Sequence, residues 1–327
     1  MRLDLYPGSG LTLSDAAATA RGAEAAGFAG LWALEAAVEP FSPLAIAAEH
    51  STRLELRTGV AVAFARNPMV TAHLAHELAR CSGGRFVLGL GSQVRAHIER
   101  RFGEPWSDPV GRMAEYLAAL RAIWASWNEG RPLEFRGRHY SHTLMTPMFD
   151  PGPSGCPPPA VHVAAVGPAM TAMAAEHADG VVLHPLSSVR TVENQVLRRL
   201  GERACELSCP VLVITGETET ELSRARAAVR KQIAFYASTP AYRRVLDQYG
   251  EADRADRLRA LARDGRWDDM AGLITGELLR EFAVEAPVDR LAREVEARWA
   301  GILDRAALYA PYPVSARTWR AIAGGDS

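Results

Sequence analysis

Two rhythms of apolar and polar positions alternate along the chain. Residues 2–6, 30–34, 54–64 and 86–90 are short apolar runs of strand type, while 12–26, 43–50 and 69–80 carry alanine and leucine at helical spacing. A Thr12-x-x-Asp15 capping box opens the first helix and Gly27 closes it; Gly83-Gly84 closes the third. The second half repeats the rhythm, with strands at 161–165, 180–183, 210–215 and Arg305–Ala310 and helices at 168–178, 190–205, 219–237 and 287–299. A charged, helical stretch is inserted at 239–282. Strands separated by helices pair in parallel through right-handed crossovers, which bury both faces of the sheet. Eight such strands predict an α/β protein of the (β/α)8 TIM-barrel type, favoured over an open doubly wound sheet because no mid-chain linker divides the chain. The pattern predicts one domain over 1–327, with insertions near 129–160 and 239–282. Within the first insertion, 141–160 is proline-rich and too irregular for a regular element. It reads equally as a lid over the site and as a stiff structural cover.

Charge and composition narrow the partners. Thirty-seven Lys and Arg against 38 Asp and Glu leave a net charge of −1, so no global field gathers nucleic acid or an anionic membrane. No run of 18 apolar residues occurs, and no secretory leader is expected from the opening MRLDLYPGSG. Four cysteines, Cys81, Cys156, Cys205 and Cys209, are too irregularly spaced for a disulfide framework. A cytoplasmic protein acting on a small molecule is the expectation.

Barrel chemistry gathers at the C-terminal ends of strands. The residues there are Glu35, 59–66, 91–95, Val166-Gly167-Pro168, His184-Pro185 and 309–312. Gly89-x-Gly91 lacks the further glycine of a dinucleotide loop; it allows either a planar ligand against the backbone or close packing of strand and helix. Gly167 ahead of Pro168 leaves first-turn N–H groups able to cradle a phosphate. His73, His76 and Glu77 share a helix face, but barrel helices lie outside the strand ring and no HExxH pattern is present. That face is read as solvated and no metal site is expected. Cys205 and Cys209, beside a strand start, read as buried thiols, and no GxSxG elbow offers a hydrolytic serine. His184 is the histidine most readily placed in the site.

Six segments carry a resemblance: GFAGLWALEA (27–36), LRTGVAVAFARNPM (56–69), CSGGRFVLGLGSQVRAHIERRFG (81–103), EFRGRHY (134–140), AAVGPAMTAMAAEHADGVVLHP (164–185) and the final LYAPY. Across nearly its whole length the chain resembles the bacterial luciferase-like superfamily of flavin and deazaflavin oxidoreductases, and within it a subgroup of F420-dependent oxidoreductases. The resemblance implies a barrel that binds coenzyme F420, or alternatively FMN, at its C-terminal mouth. It implies that Gly59-Val60 forms a non-prolyl cis bulge against the ring, that Gly91 and Ser92 border the ring with Gln93 nearby, and that Val166, Gly167 and Pro168 hold the phosphate. It also implies a homodimer. Arg95, bidentate and permanently charged, suits tail carboxylates or phosphate. Where sugar-phosphate dehydrogenases of this superfamily carry a histidine and a glutamate, this chain carries Ala36 and Ser92, so that chemistry is not expected.

The resulting expectation is hydride transfer between deazaflavin and a small, hydrophobic organic substrate, with Glu35 or His184 as proton source. The alternatives are an FMN-dependent two-component monooxygenase supplied by a flavin reductase, and a flavin-binding protein without turnover.

Overall fold

The computed structural model describes residues 1–8, 10–201 and 205–324. Eight parallel strands close into a ring: β1 (Arg2–Pro7), β2 (Gly30–Ala33), β3 (Glu55–Thr58), β4 (Phe86–Gly91), β5 (Ala160–Ala164), β6 (Gly180–Val182), β7 (Glu206–Ile214) and β8 (Arg305–Ala310). Each pairs with its neighbour in sequence, and β8 returns to β1 through six register pairs from Arg2 with Arg305 to Pro7 with Ala310. The chain is a TIM barrel. A short strand, Ala283–Glu285, additionally lies along the end of β7.

Local chemistry explains most boundaries. The first helix runs Ala16–Ala26 and stops at Gly27, whose φ of 93° suits a residue without Cβ. The expected capping box instead forms a turn ahead of the helix: Asp15 is the cap, and Thr12 Oγ1 donates to its carboxylate at 2.6 Å. Asn67 caps Pro68–Ser82 by accepting the Val70 N–H, and Thr218 with Glu221 forms a capping box on Glu219–Ala237.

Three boundaries differ from the pattern. The strand expected over 54–64 breaks after Thr58 and resumes only as Ala61–Val62 before a 3-10 turn at Ala63–Ala65. The strand expected to start at Pro210 begins at Glu206, because the Pro210 position sits inside a ladder held by residues on either side; Cys209 is therefore inside the strand. The helix expected over 190–205 is helical from Val189 to Leu200 with a π-type stretch at Val192–Leu197, and its residues 202–204, like 325–327 of the expected domain, lie outside the described residues.

The contacts separate the two readings of the proline-rich segment. A helix that follows a barrel strand ends at the N-terminal face, so the chain leaving Pro109–Glu129 starts on the side away from the mouth. It climbs the outside of that helix as a hairpin, Phe135–Arg136 with Ser141–His142, where Glu115 accepts the N–H groups of Arg138, His139 and Tyr140 at 2.6–2.9 Å. It then returns past Asn128, which accepts from Ser154, toward Cys156 beside Gly84. The segment is an external strap, and the lid expectation gives way to the cover. Of the helix face expected to be solvated, His73 and Glu77 are exposed, whereas His76 is buried, edge-on to Trp127, and burial lowers its pKa.

Candidate active site

Charges fill the lower half of the barrel. Arg305 of β8, 1% exposed, pairs with Asp4 of β1, with Glu55 of β3 at 2.9 Å and with Glu206 of β7 at 3.4 Å. Arg57 bridges Glu55 and Glu206. Burial pushes the Asp4 carboxyl above its usual value, against the pull of Arg305, Arg57 and a 2.8 Å hydrogen bond from Trp32 Nε1. The Trp32 ring lies over Arg57, 5.6 Å from guanidinium to centroid, and so separates the charged layer from the space above.

Above that floor the walls are backbone and small side chains. The Gly59–Val60 peptide is cis, as the resemblance implied, and a Cβ on Gly59 would run into the Trp32 ring. Tyr6 donates its hydroxyl proton to Gly59 O at 3.0 Å, holding the bulge from the β1 side. Thr58 ties the end of β3 to β4, donating to Gly89 O at 2.7 Å and accepting from Gly89 N at 2.8 Å. A Cβ on Gly91 would stand 2.7 Å from Val60 Cγ2 and 3.6 Å from the Ala164 methyl. Val60, Gly91 and Ala164 thus stand side by side at the strand ends, on the Trp32 side of the barrel mouth.

The remaining predicted cofactor residues follow Gly91 and Ala164 along the chain. Gln93 adopts φ 59°, with its side-chain oxygen accepting from Val94 N at 3.0 Å, and Ser92 Oγ donates to Gln93 O at 3.2 Å. Two residues past Ala164, Val166 is 41% exposed and Gly167 caps the helix Pro168–His177. No side chain caps that helix, no acidic residue occupies its first turn, and nothing lies within 4 Å of a Cβ placed on Gly167. The exposed first turn is electropositive. Arg95 stands apart on an exposed short helix, in an i,i+4 pair with Glu99 at 2.9 Å.

Glu35 does not fit the proton-source role. Both of its oxygens accept from Arg66 at 2.8 Å, and Oε2 also accepts Val62 N–H at 2.7 Å. With both oxygens engaged by one guanidinium and a backbone N–H, the carboxylate is occupied inside the protein rather than turned to a substrate. Its work is positional, because it anchors the segment that follows the Gly59–Val60 bulge.

His184 lies two residues past β6. Its Nδ1 accepts Leu186 N–H at 3.1 Å, so the single proton of the neutral ring sits on Nε2. The ring stacks on Tyr242 at 3.9 Å and meets Tyr236 edge-on at 4.6 Å. Burial holds its pKa down to about 3, and burial together with Arg57 and Arg305 does the same to His162 of β5. His184 is therefore a neutral donor at working pH. Unfolded-chain histidines bind protons below about pH 6.5 and these two do not until about pH 3, so stability is full above pH 6.5 and is lost on acidification. Thermal melts between pH 7.5 and pH 5 should show a falling Tm, with a shallower fall for His162→Leu; equal pH dependence in that variant would contradict the assignment.

An aromatic wall completes the mouth. Tyr309 of β8 packs 4.9 Å from Tyr6, its hydroxyl 3.4 Å from that of Tyr236 on Glu219–Ala237. One apolar cluster unites this wall with Leu246, Leu258 and Met270 of the helical insertion, which therefore roofs the barrel beside His184. Only Tyr309 of these tyrosines was among the strand-end candidates. Asp4-x-Tyr6 and Arg305 with Tyr309 occupy same-face positions of their strands, a period-2 signal that could have marked them. Nothing in the spacing pointed to Tyr236 or Tyr242.

The sequence pattern of the luciferase-like monooxygenase family matches residues 1–305. The chain belongs to that family. Luciferase-like proteins are flavin- or deazaflavin-dependent oxidoreductases, and the chain is an enzyme of that kind. It is 49% identical over 302 residues to an uncharacterized protein of Mycobacterium tuberculosis (strain ATCC 25618 / H37Rv), covering 90% of this chain and 89% of that one. In fold, this luciferase-like barrel is similar to the coenzyme F420 dependent tetrahydromethanopterin reductase from Methanopyrus kandleri, with TM-score 0.78 at 17% identity over 99% and 97% of the two chains. It is also similar to the oxygenating constituent of 3,6-diketocamphane monooxygenase from Pseudomonas putida in complex with FMN, with TM-score 0.71 at 14% identity over 99% and 97%. Among the described residues no helix is long and apolar enough to cross a membrane.

Proposed function

We propose that the chain is an F420-dependent oxidoreductase acting on a small, hydrophobic organic substrate. The small side chains and bare backbone that Val60, Gly91 and Ala164 present together at the strand ends carry this reading, because they suit a flat ring lying against backbone. Deazaflavin, when bound, supplies or takes up a hydride at its ring carbon. The chain's residues orient and shield. Tyr6, Thr58 and Glu35 hold the Gly59–Val60 wall in place, and the uncapped first turn at Gly167 meets the phosphate with N–H groups. Gly91 and Ser92 border the ring with Gln93 nearby, while Arg95 reaches toward the acidic tail. The insertion helices roof the mouth and exclude water. A cytoplasmic homodimer is the proposed state.

FMN is the second cofactor for the same strand ends, with a flavin reductase as partner and oxygen as co-substrate. Anaerobic incubation with reduced F420 and a panel of small ketones, enones and imines tests the choice: loss of reduced F420 without oxygen supports hydride transfer, and turnover confined to FMN, reductase and oxygen contradicts it. Gly167→Asp, which sets a carboxylate at the electropositive turn, is expected to weaken F420 binding about 5- to 30-fold. Unchanged affinity in a fluorescence titration would remove the turn from the site.

A further inference from the structure

Three neutral hydrogen-bond donors gather on the aromatic side of the mouth. The Tyr236 hydroxyl donates toward that of Tyr309 at 3.4 Å, longer than the roughly 2.7–2.8 Å of a settled hydroxyl pair. Tyr309 keeps its own proton for a third oxygen, and the long Tyr236 contact is weak enough for that hydroxyl to turn to the same oxygen. Tyr6, packed 4.9 Å from the Tyr309 ring, is committed to Gly59 O at 3.0 Å and offers no proton. His184, edge-on to Tyr236, has used Nδ1 on Leu186 and keeps Nε2–H, which has no partner among the described residues. Formal charge is kept away from this wall. Glu35 and Arg66 neutralise each other, and Asp4, Arg57 and Arg305 are paired beneath Trp32.

Resting on the hydride-transfer reading above, we propose that the Tyr236–Tyr309 hydroxyl pair is the recognition point for the substrate oxygen, and that the substrate is a neutral ketone or the corresponding secondary alcohol. A carbonyl oxygen has two lone pairs and accepts from both phenols, as an oxyanion does from paired donors. A carboxylate or an ammonium group would enter this wall without a free counter-charge, at the cost of an unpaired buried ion. Burial raises both phenols above the usual tyrosine range, so they are donors at every working pH. The pair binds the oxygen and polarises the carbonyl.

The test is infrared spectroscopy of cyclohexanone, carbon-13 labelled at the carbonyl, on the wild-type protein and on Tyr309→Phe and Tyr236→Phe, each with and without oxidised F420. Phenylalanine keeps the ring contacts, and the two variants probe the pair from different elements; thermal melts identify any that has lost its fold. The carbonyl stretch is expected to move to lower frequency on wild-type protein and to return toward its apolar-solvent position in both variants. Cyclohexanone affinity should fall about 3- to 10-fold per variant, with F420 affinity unchanged. A stretch and affinity equal to wild type in both variants, or no shift on wild-type protein, overturns the proposal. A wild-type protein that binds F420 but shows a tyrosine-independent stretch sinks the recognition point alone. One that shows the tyrosine-dependent shift but binds no F420 sinks the hydride-transfer reading instead.

Discussion

Arg305→Met is expected to destabilise the barrel by about 3–5 kcal/mol, the usual effect of removing one partner from a buried ion pair. Arg305 is the cation closest to Asp4, which is fully buried, and it also faces Glu55 and Glu206. Without it three carboxylates share Arg57 and the exposed Arg2. Asp4, already pushed toward its neutral form by burial, is then expected to take up a proton. Urea denaturation at pH 7.5 measures the loss. Adding Asp4→Leu in the same chain should recover part of it, since an apolar pair replaces an unpaired charge. A single variant as stable as wild type would show that the layer beneath Trp32 does not hold the barrel together.

The barrel was legible because its signals are local and repeated. Every barrel strand was an apolar run flanked by helix-period segments, and caps such as Gly27 marked where elements stop. The departures fell where tertiary contacts overrule local pattern. The strand expected through Phe64 breaks at Gly59-Val60, and the proline-rich strap, which composition left open between lid and cover, is placed by Glu115 and Asn128. The glycines at 59, 91 and 167 could be proposed for the site because a missing side chain is visible in a sequence. The partner of a charge is not: Arg66, 31 residues from Glu35, turned a presumed proton source into an anchor. Tyr236 and Tyr242 come from a helix and an insertion that spacing does not bring to the mouth, so the aromatic wall emerges only in three dimensions.

Gly91→Leu is expected to weaken cofactor binding by at least about 30-fold, as the overpacking of about 2 kcal/mol translates into affinity. Even a Cβ at this position comes within 2.7 Å of Val60 Cγ2 and 3.6 Å of the Ala164 methyl, so a longer side chain displaces the wall proposed to face the ring. The fold should lose about 1–3 kcal/mol as Val60 gives way, so binding is measured well below the melting transition. Gly103, with φ 71° and nothing within 4 Å of an added Cβ, supplies a comparison site where alanine is strained but displaces no wall. Retention of full affinity by Gly91→Leu would place the ring elsewhere in the mouth.

Parallel equilibrium titrations of the purified protein with oxidised F420 and with FMN, followed by fluorescence quenching at equal concentrations, bear most directly on the assignment. Binding of F420 in clear preference to FMN is the expected result, lost in Gly91→Leu and weakened in Gly167→Asp. Preference for FMN would contradict deazaflavin hydride transfer and favour the oxygen-dependent chemistry, and saturable binding of neither would contradict the placement of the site itself.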